Sequence, residues 1–249
     1  MWYAPVAQLD RVTGYEPVGQ GFESLLAHHE KEGPFGLSFF LLINIQIPNG
    51  RLNMYTIVKE GSGEVPTLSI EHYYPSGHGY QPKVAFAVCY TEQGFHAHFD
   101  VFETKPLATK TKHFELVNED SCVEWFVKFA PELSDNYFNF EVNSIGTMNV
   151  SFRKNRHENK INLTEEDVKS LNIQTQVFED FWTVDYTVPF ELIKKYIPGY
   201  EFKSGTFVLA NAYKCGDLTE FPHYGCWNMT DPEKCDFHRP EYFEKMNII

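Results

Sequence analysis

Positive charge is scarce in this chain: 21 Lys and Arg stand against 34 Asp and Glu, a formal net charge of −13. Nucleic-acid affinity rests on clustered cations that release counterions, so DNA and RNA are set aside as partners. Cysteine is sparse and odd in number, at 5, which does not make a complete disulfide framework. Reduced thiols are expected, with a cytoplasmic address by default and export left open. Long apolar runs are also lacking. The stretch Ser38–Ile47 is shorter than the roughly 20 apolar residues that span a bilayer. It follows Glu30 and Glu32 with only Lys31 as a positive flank, and no small-residue cleavage site follows it. No membrane partner is expected. Beyond Met54 the chain shows no internal repeat, low-complexity tract or interdomain linker.

What the chain has in abundance is aromatic residues, with 22 Phe and 14 Tyr among 249 residues. That bias suits strands and stacking surfaces better than helical bundles. The first fifty residues stand apart. The stretch APVAQLDRVTGYEPVGQGFESLLAH, from Ala4 to His28, resembles the peptide obtained when a bacterial transfer-RNA gene is translated. Residues 1–53 are therefore expected to be a non-native, disordered extension, with Met54 as the natural start. Residues 54–249 make a comfortable single domain.

From Thr67 onward, short apolar or alternating runs are punctuated by turn residues, the pattern of an all-β fold of two packed antiparallel sheets. In Gly94–Glu103 the residues Phe95, Ala97, Phe99 and Val101 share one face and His96, His98 and Asp100 the other, as in a half-buried strand. Lys83–Tyr90 and Phe95–Phe102 read as a hairpin, with Gly94 expected at a positive φ. Further strands are expected at Ser121–Phe129, Tyr137–Ser144, Met148–Arg153, Thr175–Thr187 and Thr206–Tyr213. Two short helices interrupt them. Thr164 to Asp167 reads as a capping box opening Glu165–Leu171, and Pro189 fits the first position of Pro189–Tyr196.

Three chemistries compete for the polar and aromatic residues. His223, Cys226, Cys235 and His238 carry mirrored H-x2-C and C-x2-H steps that zinc could close into a tetrahedral site. The gap between them matches no common finger, and a domain of this size needs no metal staple. Acid–base glycosidase chemistry would use two of Asp120, Glu124 and Glu141, with Asp120 and Glu124 placed on one strand face by their even spacing. The structural alternative pairs Glu124 and Glu141 with Arg153, Arg156 or Arg239. Saccharide recognition needs a flat aromatic beside carboxylates, amides or arginines that bond vicinal hydroxyls. Trp227, Phe237, Tyr242, Glu124, Glu141, Arg239 and His238 supply that inventory, although each aromatic alone suits core packing equally well.

The stretches EDSCVEWFV (Glu119–Val127), YFNFEVNSIGTM (Tyr137–Met148), WTVDYTVPFELI (Trp182–Ile193), LANAYKCGDLTEFPHYGCWN (Leu209–Asn228) and DFHRPEYF (Asp236–Phe243) together resemble the family 9-like carbohydrate-binding modules of the wider DOMON-like group. The likeness covers roughly Val65 to Ile249. It implies a jelly-roll-like β-sandwich, free-standing here, that binds saccharides without hydrolysing them, with glycoside hydrolases as associated enzymes. It implies no cofactor, while calcium is allowed as a structural ion. The group also contains haem binders, for which His96, His98, His113 and His238 are the candidate ligands.

Carried onto this chain, the family's acid falls on Glu124, a position that is arginine in relatives falls on Glu141, and one sugar-stacking tryptophan falls on Phe237. The opposite wall falls at Val117 or Asn118, neither of them aromatic, with His113, Phe114 or Trp227 as replacements. The expected ligand-binding residues are thus Glu124, Glu141, Trp227, Phe237, Arg239, Asn118 and His113, with no catalytic residue.

Overall fold

A computed structural model of the chain describes residues 55–77 and 79–249. The expectations for residues 1–53 lie outside the described residues. The strands are β1 (Tyr55–Lys59), β2 (Thr67–Ile70), β3 (His72–Tyr73), β4 (Lys83–Tyr90), β5 (Gly94–Phe102), β6 (Cys122–Lys128), β7 (Tyr137–Asn143) and β8 (Met148–Arg153). They continue with β9 (Ile161–Asn162), β10 (Gln174–Val177), β11 (Trp182–Pro189), β12 (Phe207–Cys215), β13 (Tyr224–Cys226) and β14 (Glu244–Ile248). The helices are α1 (Glu165–Ser170) and α2 (Phe190–Tyr196).

These strands form a curled β-sandwich. The first sheet runs β10-β11-β5-β4, with β1 and β2 both lying along β4. The second runs β14-β12-β6-β7-β8-β9, with β13 and β3 continuing beside β12. The pairings are antiparallel except at β1, whose Tyr55–Ile57 lies parallel to β14 and whose Val58–Lys59 lies parallel to β4. That strand stitches the two sheets together.

The core follows from alternation. Phe86, Val88, Phe95, Phe99 and Val101 of the first sheet face Val123, Trp125, Val127, Phe138 and Phe140 of the second, all buried. Phe86 and Phe99 have centroids 4.4 Å apart, and Phe86 lies 5.7 Å from Trp125. Burying each such ring contributes about 2–3 kcal/mol, and together they fix which face of each strand points inward.

Three local expectations change. Gly94 does not take a positive φ. It is needed because β11 passes so close that a Cβ there would lie 2.3 Å from the Val188 carbonyl oxygen. Thr175–Thr187 is not one strand. Phe178 N donates to Phe181 O at 2.8 Å across Glu179 and Asp180, so the segment folds back as the β10–β11 hairpin. Pro189 is the extended N-cap of α2 rather than its first helical residue, because it still pairs with Gly94 at the end of β11. The capping box stands as read: Asp167 N donates to Thr164 Oγ1 at 3.2 Å, and Thr164 N donates to Asp167 Oδ2 at 3.0 Å.

Candidate functional site

Alternation in the second sheet has a chemical consequence on its outer face. Because Val123, Trp125 and Val127 point into the sandwich, Cys122, Glu124 and Phe126 must point away from it. The register then aligns polar residues in rows across the sheet. Tyr213 of β12 opposes Glu124 of β6, Glu124 opposes Glu141 of β7, and Glu141 opposes Asn149 of β8. A second row holds Asn211, Phe126, Asn139 and Ser151, and a third holds Cys215, Cys122 and Asn143. Directly opposed residues have Cβ atoms about 4.5–5.5 Å apart, so two carboxyl groups are held side by side.

The pair is buried, with Glu124 3% and Glu141 5% exposed. Asn139 Nδ2 donates to Glu141 Oε1 at 2.6 Å and Asn149 Nδ2 to Glu141 Oε2 at 2.9 Å, while Ser151 Oγ donates to Asn139 Oδ1. Among the described residues Glu124 receives only the Cys215 thiol, at 3.0 Å. Burial raises both acids above the usual carboxylate range. For Glu124 the charge of Glu141 adds to the rise, whereas for Glu141 the two amides oppose it. Glu124 is therefore the proton-holding member, and Glu141 the acceptor of amide hydrogen bonds.

The segment 228–243 covers this face. Phe237 stacks on Tyr213 with centroids 4.3 Å apart and planes at 14°, and the Tyr213 hydroxyl donates to the Phe237 carbonyl at 3.0 Å. His238 stacks on Phe126 at 5.0 Å, and its Nδ1 lies 2.7 Å from the Tyr137 hydroxyl. Burial and the nearby Arg153 and Arg156 depress His238 to about 3, so its ring is neutral. Asp236 pairs with Arg156 at 2.6 Å. At the other margin Asn118 Nδ2 donates to Asp217 Oδ2 at 2.9 Å. Arg153 Nε is buried with no hydrogen-bond partner among the described residues, an unmade bond that costs about 1–3 kcal/mol unless a ligand completes it.

The structure brings together Glu124, Glu141 and Phe237 and sets Asn118 at their rim. Phe237 is 8% exposed, with one ring face spent on Tyr213. His113 lies where the loop before β6 meets β8, its Nδ1 accepting from Met148 N at 3.1 Å.

Three candidates lie apart from this group. Trp227 does not join the group: Cys226 is in line with Tyr213 on the outer face, so the next residue turns to the inner side, where Trp227 packs edge-on to Tyr55 at 6.3 Å. Arg239 is spent on Glu241, at 2.6 Å, and on the Tyr242 ring, 5.3 Å away. The guanidiniums acting on the acid pair are Arg153 and Arg156. Asp120 also leaves the acid set, because its carboxylate caps the backbone of Thr109 and Lys110 at 2.8–3.0 Å.

The zinc set His223, Cys226, Cys235 and His238 does not converge. His223 accepts from Lys214 at 2.7 Å and lies 2.7 Å from the Phe221 carbonyl, inside a buried group with Glu103. Cys226 is buried and Cys235 exposed, while His238 lies on Phe126. Among the described residues, the ligand atoms that converge belong to Cys122, Glu124 and Cys215. That thiol-rich set does not suit calcium, which takes six to eight oxygens. The haem candidates are engaged elsewhere: His98 sits between Asp185, at 2.8 Å, and Asp100, at 3.2 Å, with His96 3.3 Å from Asp185.

Asn139, Asn149, Ser151, Tyr213 and Asp217 were not singled out from the sequence, whereas Arg153 was named there as a partner of the acid pair. The signal was present in YFNFEVN and MNVSFR, where polar residues recur at every second position between apolar ones.

A family model described as carbohydrate-binding family 9 matches residues 61–248. Among solved structures, the chain is similar to a candidate carbohydrate-binding protein from Bacteroides uniformis, with TM-score 0.66 and 22% identity over 79% of this chain and 97% of that one. It is also similar to a family 9 carbohydrate binding module from Caldicellulosiruptor kristjanssonii in complex with cellotriose, with TM-score 0.54 and 10% identity over 78% of this chain and 92% of that one. The corresponding complex with glucose gives TM-score 0.53 and 11% identity over 79% and 95%. At these identities the likeness is one of fold. None of the curated protein sequences compared with the chain matches it.

Proposed function

The chain belongs to carbohydrate-binding family 9, and on that premise we propose that it binds a saccharide, without cleaving it, on the outer face of its second sheet. The observation that carries this reading is the Tyr213–Glu124–Glu141–Asn149 row. Vicinal hydroxyls need paired acceptors and donors at fixed spacing, and Glu141, Asn139, Asn149 and the unspent Arg153 Nε supply both kinds. The low exposure of the acids means that a sugar reaches them only if part of the 235–239 segment moves aside. Phe237 then supplies a stacking face beside the row, with Asn118 and Asp217 at its margin.

The Caldicellulosiruptor modules hold cellotriose and glucose, so glucose and β-glucan fragments are the first ligands to test. Any part in glycan breakdown is indirect, alongside glycoside hydrolases. A glycan array followed by calorimetry against mono- and oligosaccharides tests the proposal. Binding at or tighter than millimolar affinity that weakens in Glu141→Gln is expected. An absence of binding across the array would contradict it.

A further inference from the structure

The outer face also holds a cluster that shares only Glu124 with the row proposed to bind saccharide. Cys122 and Cys215 oppose each other directly across β6 and β12, and Glu124 follows Cys122 on the same face. Ligand atoms of the three lie within 4.8 Å of one another. All three are buried: Cys122 is 0%, Cys215 1% and Glu124 3% exposed. We propose that Cys122, Glu124 and Cys215 form a binding site for a thiophilic divalent cation of the zinc class.

Geometry supports closure. With Zn–S near 2.3 Å and Zn–O near 2.1 Å, ligand atoms on a tetrahedral ion lie about 3.5–3.8 Å apart. The Cys215 Sγ to Glu124 Oε1 distance of 3.0 Å and the 4.8 Å limit on the whole set bracket that value. The strands hold the ligands from two neighbouring backbones, so little ordering entropy remains to be lost on binding. Two thiolates and one carboxylate select a borderline-soft ion over calcium or magnesium. Three protein ligands leave the fourth tetrahedral position to water or an added ligand. Coordination releases the two thiol protons and the proton held by Glu124, so affinity falls as pH falls.

The test is Co2+ titration of the reduced, chelator-treated full chain, both by addition to folded protein and by refolding in the presence of Co2+, since the site is enclosed. One equivalent giving a thiolate-to-cobalt charge-transfer band, displaced by Zn2+, is expected. The band should be lost in Cys122→Ser and in Cys215→Ser and kept in Cys226→Ser and Cys235→Ser. If either serine variant fails to fold by circular dichroism, Glu124→Gln keeps both thiols and the side-chain volume and should shift the cobalt spectrum. No band by either route would overturn the proposal. So would a band that survives Cys122→Ser and Cys215→Ser, or a spectrum unmoved by Glu124→Gln. Saccharide titrations on the chelator-treated protein read the sugar site separately.

Discussion

Glu124 and Glu141 oppose each other across β6 and β7, yet they are served unequally: two amides donate to Glu141, and one thiol to Glu124. The consequence is a buried acid pair with one proton-holding and one hydrogen-bond-accepting member. Glu141→Gln should weaken saccharide binding about tenfold or more, since hydrogen bonds to a charged group are worth about 1.5–3 kcal/mol. It should also lower thermal stability modestly, because the glutamine NH2 then faces one of the two amide donors that the carboxylate accepted from. Calorimetry and thermal unfolding of the same sample check both halves. A variant that binds normally but unfolds several degrees lower would assign Glu141 to structure alone.

The two aromatic candidates separate cleanly. Phe237→Ala removes the ring on Tyr213 and should cost about 3–5 kcal/mol, the range for a buried Phe, as well as saccharide affinity. Trp227 packs against Tyr55 on the inner side, so Trp227→Phe should leave saccharide affinity within twofold. Denaturant unfolding and calorimetry on the two variants are the measurements. A tenfold affinity loss in Trp227→Phe would contradict the assignment of faces.

The sandwich was legible because Phe95, Phe99, Trp125 and Phe140 alternate with polar residues, and a period of two admits only strands. The Glu124 and Glu141 positions were likewise legible, through the spacing of motifs. Their partners were not, because cross-strand neighbours depend on register. Nothing local in MNVSFR says that Asn149 meets Glu141, or that Ser151 meets Asn139. Trp227 was misjudged for a related reason: its face is set by the pairing of Cys226 with Tyr213, a contact between segments. Gly94 showed the same limit, since its need comes from Val188 on a distant strand.

On the outer face of the first sheet, His98 is raised from 6.5 to about 10. Burial pulls it down, but the hydrogen bonds and charges of Asp100 and Asp185 outweigh burial. A folded value above the unfolded one means the stabilisation is fully present below about pH 6.5 and is lost as pH rises through about 10. Its size is of the order of 5 kcal/mol. The stability gap between wild type and His98→Asn should therefore narrow steadily from pH 6 to pH 10. A gap that widens with pH would reverse the sign of the coupling.

Two adjacent carboxyls invite the expectation of glycoside cleavage. Family membership and the amide bonds that hold both Glu141 oxygens argue for binding without turnover. Incubation with the best-bound oligosaccharide should release no reducing sugar above buffer. Release that disappears in both Glu124→Gln and Glu141→Gln would replace the binding account with an enzymatic one.

If a sugar enters, the 235–239 segment must shift. Hydrogen exchange at the amides of Phe237 and His238 should change on saccharide addition, while exchange in the β4–β5 hairpin stays constant. Unchanged exchange at both residues under saturating ligand would mean that the sugar sits elsewhere.

The most direct measurement is a crystal structure of the protein soaked with its best-binding saccharide. The account predicts a sugar ring beside Phe237, with hydroxyls within hydrogen-bond distance of Glu141 and Asn149. A sugar found instead in the cleft of about 480 Å³ lined by Tyr90, Phe190 and Phe202, with the outer face of the second sheet unliganded, would contradict it.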